Sequence, residues 1–158
     1  MQIIINIALQ QLTLQSNERV IRQYSISSAK KGVGEQQGSE QTPRGRHLIR
    51  AKIGANLPLN TVFKARRPTG EIYSAELAEQ SPNRDWILTR ILWLSGCDVG
   101  KNRGGNCDTM RRYIYIHGTP DSEPMGIPAS HGCIRMRNVD LAELFTLTPM
   151  YTSVIINE

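Results

Sequence analysis

The sequence predicts a mainly β fold, a sandwich or a barrel carrying one or two short helices. Three observations predict it: short apolar runs alternate with polar positions at period two, clusters of Gly, Pro, Asn and Ser separate them, and helical spacing is sustained only after residue 137.

In order along the chain, residues 1–28 read as two strands. The first runs from Ile3 through the alternating Gln10-Gln11-Leu12-Thr13-Leu14, a polar turn follows at Ser16-Asn17-Glu18, and the second covers Arg19 to Ile26. Lys31 to Gly45 holds Gly32, Gly34, Gly38 and Pro43 without apolar periodicity, which predicts a mobile loop. Strands follow at His47–Ile53, Thr61–Arg66, Glu71–Ser74 and Trp86–Leu94, with a short helix over Ala75–Gln80 and with Trp86 and Trp93 in the core. Tyr113-Ile114-Tyr115-Ile116 alternates aromatic and β-branched residues and reads as a strand that runs into His117 and ends at Gly118-Thr119-Pro120. In the last segment Asn138 is placed to cap a helix whose apolar stripe is Val139, Leu141, Ala142, Leu144 and Phe145, stopped by Pro149.

A chain of 158 residues with 39% hydrophobic content buries one sizeable core, so a single domain over 1–158 is expected. The net charge of +5 is dispersed in pairs such as Lys30-Lys31, Arg66-Arg67 and Arg111-Arg112. That pattern gives solvated surface or steers an anionic substrate, and contains no basic block of the kind that makes a nucleic-acid arm. The start of the chain lacks a basic region before its apolar run and a small-residue cleavage site, and no run reaches 18 apolar residues, so membrane insertion is not expected. If Met1 is the native start, the expected location is the cytoplasm. Three cysteines, an odd number without a Cys-x-x-Cys pair, agree with a reducing compartment, where Cys97 and Cys107 stay unpaired. Cys107, His117, His131 and Cys133 are ligand types, but their spacing matches no common zinc pattern; neither a metal nor another cofactor is expected.

Chemistry concentrates in Ser130-His131-Gly132-Cys133-Ile134-Arg135-Met136, with His117 16 positions before Cys133. Glycine before a cysteine suits a tight turn that presents the thiol and turns backbone N–H groups toward a substrate. A free thiol ionises near pH 8.5, so it needs a neighbour to become nucleophilic at neutral pH, and His117 is the candidate base. Cys133 is the candidate nucleophile, with the N–H groups of Gly132 and Cys133 as oxyanion donors and His131 as a residue that shapes the pocket or, as the second reading, takes part in proton transfer. Arg135 shares a face with Cys133 if the segment is extended, where it either holds a substrate carboxylate or braces the loop. Ser130 and Tyr115 complete the candidate substrate contacts, although Tyr115 shares a strand face with Tyr113 and His117, and aromatics at period two are more often packing than substrate contacts.

At these residues the chain resembles the L,D-transpeptidases of the YkuD type, whose signature is a histidine, a spacer, then Ser/Thr-His-Gly-Cys, a hydrophobic residue and Asn or Arg. Here the form is His117, twelve residues from Gly118 to Ala129, then Ser130-His131-Gly132-Cys133-Ile134-Arg135. Thr42-Pro43-Arg44-Gly45 looks like the family's N-terminal turn, and Thr152-Ser153-Val154-Ile155-Ile156 like its final strand. The resemblance implies a mixed-sheet β-sandwich and a histidine oriented by the backbone carbonyl of Gly118. It also implies attack of Cys133 on the carbonyl of the L-centre of a diamino acid in a peptidoglycan tetrapeptide, with release of the terminal D-alanine. The thioester is then resolved by an amine, giving a 3,3 cross-link or D-amino-acid exchange, or by water. A cytoplasmic enzyme lacks polymerised murein as acceptor, which favours an L,D-carboxypeptidase acting on free or sugar-linked muropeptides during murein recycling. Other readings are an exported transpeptidase, a peptidoglycan-binding module with an inert thiol, and a papain-like endopeptidase, whose sequence around the cysteine differs from that at Cys133.

Overall fold

The computed structural model describes residues 1–158. Its elements are β1 (Gln2–Asn6), β2 (Gln11–Ser16), β3 (Arg19–Ser27), β4 (Gly45–Ile53), β5 (Thr61–Lys64), β6 (Arg67–Ile72), α1 (Ala75–Gln80), β7 (Ile87–Gly96), a 3-10 turn at Gly105–Cys107, β8 (Tyr115–Gly118), β9 (Ile134–Met136), α2 (Asn138–Leu147) and β10 (Ser153–Asn157). The expected mainly β architecture is present as one mixed sheet in the order β4-β10-β1-β2-β3-β9-β8-β7-β5-β6. Because β4 also pairs with β7, the sheet closes on itself and β5–β6 projects from it as a hairpin. The parallel pairs are β1–β10 and β8–β9.

Alternation fixes which residues enter the core. Ile3 and Ile5, Leu12 and Leu14, and Val154 and Ile156 point inward from β1, β2 and β10, while their neighbours face outward. They meet Leu92, Leu94, Ile116, Ile134, Met136 and the buried face of α2 (Leu141, Leu144, Phe145). Each fully buried aliphatic side chain of this kind contributes about 1.5–3 kcal/mol of transfer free energy. A smaller cluster, Phe63, Ile91 and Tyr115, forms a separate packing centre, against which Trp93 and Cys133 lie.

Several expected boundaries move, each for a local reason. The first strand is two strands: the Asn6 side chain accepts from Leu9 N–H at 3.0 Å and Gln10 has φ 50°, so the chain reverses there and β1 pairs antiparallel with β2. β6 begins at Arg67 rather than Glu71, because the two-residue turn Ala65-Arg66 returns the chain at once, with Lys64 opposite Arg67. Tyr113 has φ 57°, so the strand begins at Tyr115, and Tyr113 does not share its face in the way alternation suggested. Asn138 is the first helical residue and not the cap, which falls on Arg137 without a side-chain bond. Val139 points to solvent, 68% exposed, and leaves the predicted stripe. Trp86 and Trp93 are half-buried rather than core. Helix α1 forms where expected, with Ser74 Oγ accepting from Leu77 N–H at 3.1 Å.

The segment 31–44, which runs into β4 at Gly45, has no regular structure, but it is not free as the composition suggested. Arg112 donates to Gly34 O, Ser39 Oγ and Gln41 O at 3.2, 3.3 and 2.6 Å, Arg44 pairs with Glu35 at 3.1 Å, and Gln37 N–H donates to Asn106 O at 2.6 Å. These partners lie up to 78 residues away in sequence, out of reach of a composition argument. No helix is long and apolar enough to cross a membrane.

Candidate active site

Two short parallel strands build the site. β8 and β9 pair with His117 opposite Arg135 and Ile116 opposite Ile134. Side chains alternate across a strand, so Ile116, Ile134 and Met136 enter the main core while Tyr115, His117, Cys133 and Arg135 share the other side. There they line a cavity of about 440 Å³ with Arg66, Asp85, Arg112, Tyr113, Ser130 and His131 among its walls. Sequence reasoning missed Arg66, Asp85 and Arg112 as cavity residues. Arg66 sits in the β5–β6 turn and Asp85 just before β7, and the pairing of β5 with β7 and of β7 with β8 brings both to the site, while Arg112 lies in the turn just before β8.

Gly132 sets the turn that presents Cys133. Its φ of +135° lies where a side chain is strained, and a Cβ there would press on Ile114 at 3.2 Å. Ser130 is 2% exposed; its hydroxyl donates to Cys133 O at 2.6 Å and receives Gly132 N–H at 3.2 Å. Ser130, expected as a substrate contact, therefore clamps the turn from inside the wall of the cavity. The Gly132 N–H, expected as an oxyanion donor, is engaged by that hydroxyl, because the serine two residues earlier folds back over the turn. Cys133 Sγ receives Tyr115 N–H at 3.3 Å and lies 3.4 Å from Tyr113 O.

His117 is 2% exposed, and its Nδ1 lies 2.6 Å from Gly118 O. A carbonyl only accepts, so Nδ1 carries the proton and Nε2 keeps its lone pair. Gly118 is required for more than its carbonyl: a Cβ would sit 2.2 Å from Asn138 Oδ1 and 2.6 Å from Leu88 O. Asn138 is itself fixed, accepting from Thr89 Oγ1 at 2.6 Å and donating to Thr119 O at 2.9 Å.

Burial sets the resting protonation. It pushes the Cys133 thiol up to about 11, with Asp85 raising it further and the Tyr115 N–H, Arg135 and Arg112 opposing. Burial also holds the His117 imidazole below its ordinary range, aided by Arg135 and opposed by the Gly118 carbonyl and Asp85. Both groups are therefore neutral near pH 7, and a thiol that shares a cavity with an imidazole carrying a free lone pair can lose its proton as it attacks.

Arg135 is 8% exposed, donates to Ala129 O at 3.3 Å and meets Asp85 at 3.4 Å and Glu123 at 4.0 Å. Of its two expected roles the bracing one is occupied. His131 is exposed at the rim of the cavity, and Tyr115 is 3% exposed with its hydroxyl receiving Arg66 Nη1 at 3.1 Å. Cys107, His117, His131 and Cys133 do not gather as a metal set, and Cys97, Cys107 and Cys133 are free thiols.

Comparison with known proteins places this fold. The putative L,D-transpeptidase YkuD of Bacillus subtilis (strain 168) is 43% identical over 47 residues, 30% of this chain and 29% of that protein. Among solved structures, an L,D-transpeptidase from Mycobacterium smegmatis superposes with TM-score 0.57 at 17% identity, covering 99% of this chain and 58% of the other. The L,D-transpeptidase of Xylanimonas cellulosilytica gives TM-score 0.56 at 21% identity over 98% and 59%. The chain thus spans about six tenths of the length of these two structures, and likenesses at such identities carry the fold. The family described as the L,D-transpeptidase catalytic domain, YkuD, matches residues 1–156, and the chain belongs to that family.

Proposed function

We propose that the protein is a cysteine-dependent L,D-carboxypeptidase that removes the terminal D-alanine from peptidoglycan tetrapeptide stems. The observation that carries the reading is that a neutral Cys133 thiol and a His117 imidazole, Nδ1 bonded to Gly118 O, line one cavity. As Cys133 Sγ attacks the carbonyl of the diamino-acid L-centre, its proton passes to His117 Nε2. The S–C bond forms, the C–N bond breaks, and the D-alanine amine leaves with that proton. Water then attacks the thioester, His117 takes its proton, and the thiol is regenerated as the tripeptide departs. The Cys133 N–H is the oxyanion donor, and His131 shapes the rim where the leaving amino acid exits.

Water rather than a second stem is the favoured acceptor. Three free thiols suit a reducing compartment, and we place the protein in the cytoplasm, where cross-linkable murein is absent. Muropeptides from wall turnover are then the partners, handled by residues 1–158 as one catalytic domain. Transfer to an amine, giving 3,3 cross-links or D-amino-acid exchange, is the second reading, favoured by the family itself.

Mass spectrometry of a disaccharide-tetrapeptide incubated with the protein, with and without excess D-methionine, tests the proposal. Tripeptide formed in both conditions and abolished by Cys133→Ala is expected. Dominant D-methionine incorporation or dimer formation replaces hydrolysis with transfer, and unchanged substrate overturns the activity.

A further inference from the structure

Three guanidinium groups line the cavity, and two of them are committed to the protein. Arg135 faces Asp85 and Glu123, and Arg112 places its donors on Gly34, Ser39 and Gln41. Arg66 has no carboxylate partner. Its guanidinium carbon lies 4.9 Å from the Trp93 ring centroid and 4.8 Å from that of Tyr113, while Nη1 donates to Tyr115 OH at 3.1 Å. Two aromatic faces and one hydroxyl hold the side chain in place without neutralising it, leaving four of five N–H donors for a ligand.

The backbone that delivers Arg66 is itself strained. Ala65, the other residue of the β5–β6 turn, has φ 54°, a conformation that costs an L-residue with a Cβ about 1–2 kcal/mol. Glycine or asparagine would sit there with less strain. Ala65 and Arg66 both line the cavity that holds Cys133. A strained turn that presents a rigid, unpaired cation to a reactive thiol is arranged for an anionic ligand.

We propose that Arg66, held by Trp93, Tyr113 and Tyr115, forms a carboxylate-binding subsite that anchors the substrate beside Cys133. The ligand group is a carboxylate of the stem peptide, either the C-terminal one of the leaving amino acid or the side-chain one of the diamino acid. This inference rests on the proposed peptidase reading for the identity of the ligand, though not for the existence of the subsite.

The test compares wild-type protein with Arg66→Gln and Arg66→Lys on three tetrapeptides: unmodified, amidated at the C-terminus, and amidated on the diamino-acid side chain. Arg66→Gln is expected to lower kcat/KM on the unmodified peptide by about 10- to 100-fold, mainly through KM, the range of a lost charge-assisted pair. One amidated peptide will show the same loss with wild-type protein and little further loss with Arg66→Gln, and that peptide identifies the carboxylate. Arg66→Lys keeps the charge without the planar fork and will fall between. An equal loss on all three peptides, or none, overturns the inference while leaving the peptidase reading intact.

Calorimetric binding of the unmodified peptide to Cys133→Ala and to Cys133→Ala/Arg66→Gln separates the two claims. Binding weakened by Arg66→Gln, with no turnover by the wild type, retains the subsite and discards the peptidase. Absence of binding to Cys133→Ala discards the subsite as well.

Discussion

The hydroxyl of Thr42 donates to the carbonyl of Gly132 at 3.0 Å and accepts from Ala29 N–H at 3.0 Å. A residue 90 positions upstream thus holds the turn that presents Cys133, and Thr42 is fully buried where it does so. Replacing Thr42 with Val keeps the shape and leaves the Ala29 donor and the Gly132 acceptor unpaired, at a cost of about 1–3 kcal/mol. The melting temperature is expected to fall, and iodoacetamide labelling of Cys133 to change rate, because the turn loses its outer anchor. Unchanged labelling and melting would remove Thr42 from the support of the site.

Gly118→Ala is expected to be severe. The new methyl would meet Asn138 Oδ1 at 2.2 Å and Leu88 O at 2.6 Å, so strand β8 must shift. That shift also displaces the carbonyl holding His117 Nδ1. A misplacement near 1 Å costs about 100-fold in rate. Soluble Gly118→Ala protein with wild-type kcat would refute the argument.

The buried histidines predict acid sensitivity with a definite sign. His47 is 1% exposed, with Nδ1 3.0 Å from Gly45 O and Nε2 3.0 Å from Thr109 Oγ1, and burial lowers its pKa to about 4. Unfolded histidine titrates near 6.5, so between these values the unfolded state binds a proton that the folded state does not, and stability is lost as pH falls. The loss attributable to His47 amounts to about 3 kcal/mol across that window. Denaturant melts from pH 7 to pH 4 should show it, and His47→Gln should flatten the slope. His117, also lowered by burial, acts in the same direction, so some slope remains in that variant.

Cys133 should behave as a protonated thiol at rest. Its alkylation rate is expected to keep rising with pH toward an inflection near 11, the value to which burial raises it, without the neutral-pH plateau of a preformed thiolate. Asp85 raises the thiol and pairs with Arg135. Asp85→Asn should therefore lower the inflection and speed alkylation near pH 8 by a few-fold, an order set by one weakened charge interaction. A plateau already present at pH 7 would contradict the neutral pair.

Much of this was legible in the residues and some could not be. Period-two alternation located β2, β4 and β7, and the Ser130–Met136 segment located the thiol, because both signals are local. The reversal at Ile7–Gln10 escaped notice because its main signal, Asn6 receiving Leu9 N–H, lay inside an apolar run. Asn138 read as a cap by residue type, yet its amide is drawn into the space behind Gly118 by Thr89 and Thr119. Arg66, Asp85 and Arg112 carry no local mark at all. The first two reach the cavity because β5 pairs with β7 and β7 with β8, while Arg112, just before β8, orders the loop 31–44 by reaching Gly34, Ser39 and Gln41.

The closed circuit of strands also bears on how copies of the chain meet one another. Every strand but β6 has at least two neighbours, so a foreign strand finds a wholly unpaired side only along Arg67-Pro68-Thr69-Gly70-Glu71-Ile72. Proline removes a donor there, glycine weakens the extended form, and charges stand at Arg67 and Glu71, features that discourage edge-to-edge association. The hairpin that offers Arg66 to the cavity can therefore stand away from the body of the sheet without becoming a template for polymerisation.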